Sequence, residues 1–466
     1  MKTPFRWKEF LSAAAIIAVP VALQNLLSTT ASMVDTIMLA PLGEETIGAV
    51  GLCAQFSTLM FSCYWGFVGG GMLFMSQFWG AHDDEGIRKS YGITIMFMMS
   101  VAVIFTVLTA VFPSAVMHLY TDKKSIQDIG VQYLSIVGYS YPLQIMVMAM
   151  SACLRSTEKV KIPLYGSIAG VCTNCIVNYL LIYGKMGMPR MGARGAAAGT
   201  IISMAVNLLV IVCFVRRRKI PYVLELTKLF HWTKGFFRRY LEKCFPILCN
   251  ETLIGVGNML INIALGRQQE HAIAAVAVFR ILEGIVISFF SGFANAASIL
   301  VGKEVGAGHH ESAYQRGIRI AYLCSGLVAC VCLILVCIHY PLLHVLGLSG
   351  ESYRAGTGLL LIYSIVGVIR MGNWGHNDVF RAAGDPAFGS LLEITFMFGM
   401  VIPAVYVSNF IFRAPFLLVF ALCYCDEPVR YCMMQHHLYS GKWIKPVSDA
   451  GVQTIGEFRK EHGIHS

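Results

Sequence analysis

The residues of this sequence best suited to chemistry are polar side chains set inside long apolar runs. Asp35 is the first, following Pro20, Gln24 and Asn25 in the opening run. An ionisable group near the centre of a bilayer costs about 2.5–3.5 kcal/mol on insertion scales, so a carboxylate kept there points to function. Its chemistry would be to take up and release H⁺ or Na⁺, and neutralisation would alter the bend of the helix that carries it. Asn174 and Asn178 lie four apart, hence on one face of a helix, with carbonyl oxygens suited to completing a hard-cation shell around a carboxylate. Asp35, Asn174 and Asn178 are therefore the expected cation-coupling set, with Na⁺ as the candidate metal ion and H⁺ as the alternative.

The second half carries Glu251, Glu283 and Glu393 inside apolar runs, together with Arg280 and Arg370. Arg280 and Glu283 are three apart and are expected to pair locally. Glu251 is expected either to take part in coupling or substrate binding, or to be balanced by an arginine such as Arg370 in a structural ion pair. Tyr64, Trp65, Tyr139, Tyr141, Tyr363 and Trp374, with many methionines, could line an adaptable cleft for flat organic cations. Gly184-Lys185-Met186, Gly302-Lys303-Glu304 and Gly441-Lys442-Trp443 lack the Ser or Thr of a phosphate-cradling loop, so no ATP motor is expected. The adjacent pairs His309-His310 and His436-His437 cannot both face one metal on a helix.

These side chains need elements to hold them, and the composition sets the solvent. Of 466 residues, 56% are hydrophobic and 13% charged, with a mean hydropathy of +0.64, outside the range of soluble domains. Twelve apolar runs are long enough to cross a bilayer as helices, from 11–39 to 414–437. The last is interrupted by Asp426, Glu427, Pro428 and Arg430. The first run shows no cleavage pattern and reads as an uncleaved anchor. The formal charge of +10 is concentrated between Arg216 and Lys243, which marks a cytoplasmic linker rather than a nucleic-acid site and puts both termini in the cytoplasm.

An ungapped shift of 226 positions pairs landmarks across the halves: Pro20 with Pro246, Gly66-Phe67 with Gly292-Phe293, Gly80 with Gly306, His118 with His344, and Arg155 with Arg381. Under it Glu251 corresponds to Asn25 and Arg370 to Gln144. The expected fold is all-α, with twelve transmembrane helices in two six-helix pseudo-symmetric lobes around a central cleft. Its divisions are an N-lobe (1–215), a basic linker (216–243), a C-lobe (244–440) and a cytoplasmic tail (441–466). Glu251, Arg370, Gln144 and Glu283 are the candidates for a substrate or C-lobe polar site.

Several stretches together resemble the multidrug and toxic compound extrusion (MATE) family over nearly the whole chain. They are Pro20 to Asp35, Ser76-Gln77-Phe78-Trp79-Gly80-Ala81, Leu154-Arg155-Ser156, Asn174 to Asn178 with Gly195-Ala196-Ala197-Ala198, and Phe380-Arg381-Ala382-Ala383-Gly384-Asp385. The resemblance implies a V-shaped cleft between two lobes and export of organic cations in exchange for H⁺ or Na⁺. It also implies an N-lobe cation site at Asp35, Asn174 and Asn178, and Glu251 as the C-lobe carboxylate. Asn178 stands where one branch of the family has Asp, which favours a Na⁺-type arrangement. Arg370 stands where another branch has a second C-lobe acid, so Asp35 is expected to carry coupling while Arg370 balances Glu251. The expected setting is the cell membrane and a functional monomer, with lipid and a small organic substrate as partners and no cofactor beyond the coupling ion. The competing readings are a flippase of lipid-linked saccharides, which would want several cationic side chains in the cleft, and an intramembrane enzyme, which would want a nucleophile–base pair or metal cluster.

Overall fold

The computed structural model describes residues 6–225, 229–267, 270–346 and 348–464. Lys228 of the basic linker lies outside them. Long apolar runs become helices because hydrocarbon offers no partner to the backbone, and only a helix satisfies its own N–H and C=O groups within one segment. In the first half these are α1 (Trp7–Leu39), α2 (Glu44–Gly80), α3 (Asp84–Val111), α4 (Pro113–Tyr120), α5 (Lys124–Val137), α6 (Tyr141–Ser156), α7 (Lys161–Tyr183), α8 (Ala193–Arg217) and the short α9 (Pro221–Leu224). In the second they are α10 (Lys234–Leu265), α11 (Glu270–Gly306), α12 (His310–Cys337), α13 (His339–Val345), α14 (Gly350–Ala382), α15 (Pro386–Phe396), α16 (Ile402–Tyr406), α17 (Phe416–Leu422), α18 (Glu427–Ser440) and α19 (Asp449–Glu461). No strand occurs among the described residues.

Boundaries follow local chemistry. Proline, which has no N–H to leave unsatisfied, opens α4, α9 and α15. Acidic pairs Glu44-Glu45 and Asp84-Glu85 sit in the first turns of α2 and α3, facing the positive helix end. Gly184 and Gly441 close α7 and α18 in left-handed conformation, at φ 67° and 66°. Pro20 and Pro246, equivalent under the repeat, lie inside α1 and α10.

Eleven segments among the described residues are long and apolar enough to cross a membrane. The run expected to be the twelfth, 414–437, is instead two short helices, α17 and α18, parted at Cys423–Asp426. The interruption lets Arg430 meet Glu427 at 3.0 Å and Asp426 at 3.3 Å, with Glu393 at 3.8 Å. Charges that would strand an unbroken span thereby neutralise one another.

The chain forms two compact units that do not follow chain order alone. One comprises Leu23–Met75 and Asp84–Tyr240; the other comprises Met1–Ala22, Ser76–Asp83 and Leu241–Ser466. Within the second, the end of α2 crosses α11 at residues related by the 226-residue shift. A Cβ on Gly80 would lie 1.9 Å from the Lys303 carbonyl oxygen, and one on Gly306 would lie 1.9 Å from that of Gln77. Only glycine permits backbones to approach so closely. Beside this crossing Gln77 donates to the Ala382 carbonyl at 2.8 Å and accepts from the Val447 N–H at 2.7 Å. Residues 441–464 are thus held on this unit, with Trp443 and Ser448 fully buried and Ser448 donating to the Gly306 carbonyl at 2.7 Å.

Candidate functional site

In the first unit, α7 and α8 pack through small residues, because association in lipid depends on close fit rather than on expulsion of water. A Cβ on Gly199 would fall 2.0 Å from Asn178 Oδ1, so glycine there makes room for the asparagine side chain. Asn178, completely buried, donates through Nδ2 to Asp35 Oδ1 at 2.6 Å and to Asn174 Oδ1 at 3.2 Å. Asn178 Oδ1 is buried with no hydrogen-bond partner among the described residues. Asp35, half-buried on α1, therefore meets the Asn178 amide of α7, which in turn holds Asn174 one turn away. A half-turn of the Asn178 amide would bring its oxygen beside those of Asp35 and Asn174.

Asp35 and Asn174 line a cavity of about 550 Å³ inside the unit, together with Gln144, Ser57, Tyr133, Thr200 and Asn207, while Asn178 lies buried behind them. Gln144 donates to Ser140 Oγ at 3.2 Å. Gln24 donates to Ser167 Oγ at 3.0 Å and accepts from Arg155 Nη2 at 2.9 Å, which fixes α1 against α6 and α7. Apart from Asp35, the polar lining is uncharged among the described residues.

The remaining expected residues lie in the other unit. Arg280 and Glu283 pair at 2.6 Å, as their spacing suggests. The expected pairing of Glu251 with Arg370 is not formed. Glu251 meets Arg381 at 3.0 Å, while Arg370 meets Glu283 at 2.7 Å and Glu427 at 3.8 Å. Both arginines are on α14, eleven residues apart, which is about 16 Å along the axis, so a carboxylate beside one cannot reach the other. Arg381, Glu427 and Arg430 join the polar site although type and spacing in the sequence do not single them out for it. The repeat held the signal for Arg381, since its counterpart Arg155 bonds Gln24, one residue before the counterpart of Glu251.

The second unit has its own cavity, of about 40 Å³. Its lining repeats that of the first at the 226-residue shift: Asp35 is replaced by Ile261, Ala54 by Arg280, Gln144 by Arg370, Ser167 by Glu393, Thr200 by Asp426 and Met204 by Arg430. Except at Asp35, which gives way to an apolar side chain, these neutral residues of the larger cavity have become ionic ones, and these fill the space.

Comparisons with other proteins agree with this repeated architecture. The MatE family profile matches twice, at residues 20–180 and 246–407, with starts separated by the same 226 positions. "Uncharacterized transporter YisQ" of Bacillus subtilis is 23% identical over 413 residues, covering 88% of this chain and 90% of the relative. "Probable multidrug resistance protein YoeA" of the same organism is 23% identical over 410 residues, 87% of this chain and 88% of the relative. A crystal structure of MATE in the bent conformation superposes with a TM-score of 0.81 at 15% identity, covering 97% of each chain. The chain belongs to the MatE family, and it is a membrane transporter rather than an enzyme.

Proposed function

We propose that the protein is a secondary antiporter that exports organic, cationic, drug-like compounds across the cell membrane in exchange for Na⁺ or H⁺, as a monomer with both termini cytoplasmic. The observation that carries this reading is the Asp35 carboxylate, bonded to Asn178 at 2.6 Å on the wall of a cavity with no other charge among the described residues. A single carboxylate in a low-dielectric cavity attracts a cation strongly and holds only one at a time. Coupling ion and cationic substrate therefore exclude each other, which is what antiport requires. With the Asn178 amide donating, the ionised carboxylate is ready for a proton. With the amide turned, three oxygens are available to Na⁺.

Export of drug-like compounds is supported by the name of the relative YoeA. Orientation rests on the basic stretch Arg216, Arg217, Arg218 and Lys219 at the end of α8, which the positive-inside tendency puts in the cytoplasm. The test is reconstitution in liposomes with an imposed Na⁺ or proton gradient and a preloaded fluorescent organic cation. An inward ion gradient is expected to accelerate efflux of the dye. Efflux indifferent to both gradients would rule out secondary antiport.

A further inference from the structure

The small cavity of the second unit is lined by Arg280, Arg370 and Arg430 and by Glu393, Asp426 and Glu427, with Trp374 and Tyr424 beside them. Arg370 lies at its wall with its guanidinium carbon 5.0 Å from the Trp374 ring centroid and 5.2 Å from that of Tyr424. The same guanidinium meets Glu283 at 2.7 Å and Glu427 at 3.8 Å, and these carboxylate side chains are only 4% and 6% exposed. Two aromatic faces and two buried carboxylates are the recognition elements for a planar organic cation. In the repeat-equivalent position of the first unit stands Gln144, lining the open cavity. The two cavities thus occupy repeat-equivalent places, and in one of them a guanidinium stands where the other has an amide.

We propose that the second unit retains a seat for a planar organic cation of the guanidinium type, and that the Arg370 side chain is its tethered occupant. A purely structural ion pair needs a positive charge near Glu283 and nothing more. The rings of Trp374 and Tyr424 stack on a flat guanidinium while its N–H donors reach Glu283 and Glu427. A tetraalkylammonium, having no N–H, cannot make that combination, and a lysine ammonium, having no flat face, makes it only in part. Arg280 and Arg430 also hold Glu283 and Glu427, at 2.6 and 3.0 Å, but Glu283, Glu393, Asp426 and Glu427 outnumber them once Arg370 is gone. Removing its side chain beyond Cβ is therefore expected to leave a vacant, ring-walled site of net negative charge able to take the same group from solution.

The experiment uses the full-length protein purified in detergent, with methylguanidinium chloride as probe and apparent Tm as readout. R370A is expected to melt below wild type and to gain about 2 °C or more in about 10 mM methylguanidinium, since a ligand that binds only the folded state stabilises it. Wild type, its seat filled, is expected to be unmoved, and equal tetramethylammonium is expected to leave R370A unmoved. Adding W374A to R370A should abolish the response. Equal shifts in wild type and R370A, or no shift in R370A, would overturn the proposal. R370K keeps the charge without the planar fork and should recover less than half of the lost Tm; full recovery would reduce Arg370 to a simple counter-charge and also overturn it. If R370A does not accumulate, E427Q/R370A, which keeps Glu283 and both rings with one carboxylate neutralised, takes its place: a gain in Tm with methylguanidinium is again expected, and the absence of one again overturns the proposal.

Discussion

Asn178 is the side chain on which the proposed ion site depends after Asp35 itself, because its amide is the 2.6 Å partner of the carboxylate. Deleting one partner of a buried charge-assisted hydrogen bond costs about 1–3 kcal/mol. Asn178→Ala is accordingly expected to change the apparent affinity for the coupling ion by about 5- to 150-fold, read from the ion dependence of dye efflux, with the protein still folded. The affinity becomes weaker if the ion is Na⁺, which loses a ligand oxygen, and stronger if it is H⁺, which no longer competes with a donated hydrogen bond. Glu251 and Arg381 make a second test at this scale. Their side chains are 25% and 15% exposed, so the loss on removing one partner should fall somewhat below the range for fully buried pairs, at about 2–3 kcal/mol. Glu251→Ala is expected to lower apparent Tm more than the double variant Glu251→Ala/Arg381→Ala does, because only the single change strands a charge. Equal losses would show that the pair has no mutual coupling. That Asn174 and Asn178 share a helix face was legible from their spacing, and type marked Asp35 inside its apolar run; the structure brings the three side chains together. Which arginine answers Glu251 was not legible, since that depends on how far along α14 the two helices α10 and α14 meet.

At the scale of helices, close approach without Cβ recurs where positions matter most. A Cβ at Gly80 would meet a backbone carbonyl rather than a movable side-chain end, so Gly80→Ala and Gly306→Ala are each expected to abolish accumulation of folded protein, measured as the monodisperse fraction by size-exclusion chromatography. At Gly199 the obstacle is the Asn178 amide itself. Gly199→Ala is expected to spare folding and impair ion-driven efflux, and unchanged efflux would detach that amide from function. Helix existence was readable from apolar runs for most of the chain. The exception was 414–437, where Asp426, Glu427 and Arg430 and their short spacing were visible but their partners far along the chain, Glu393 for Arg430 and Arg370 for Glu427, were not.

Over the whole molecule, the 226-residue repeat explains both what the units share and where they differ. One copy of the cavity is open, with a single carboxylate; the other is filled by its own arginines and acids. The repeat could be read from sequence, but the filling of one cavity could not, because it requires knowing which neutral positions face inward. Outside the spans, Asp385 ties the end of α14 to α18 and to the C-terminal segment through His437 at 3.1 Å and Lys445 at 2.9 Å. Burial alone would raise its pKa, yet the hydrogen bonds from His437 and Lys445 outweigh burial and hold the carboxyl below its usual value. Its contribution to stability is thus present above the unfolded value of about 3.9 and lost as pH falls through the folded value. Asp385→Asn should melt below wild type at neutral pH, with the gap closing in strong acid; a gap independent of pH would contradict that linkage. The central claim is that one ion occupies the Asp35 seat and is exchanged there for substrate, and the most direct measurement is simultaneous ion influx and dye efflux in the same proteoliposomes, for wild type and Asp35→Asn. The two fluxes are expected to be opposite and in fixed ratio in wild type, and both the ion flux and its link to efflux are expected to vanish in the variant. Persistence of linked fluxes in Asp35→Asn would contradict the account.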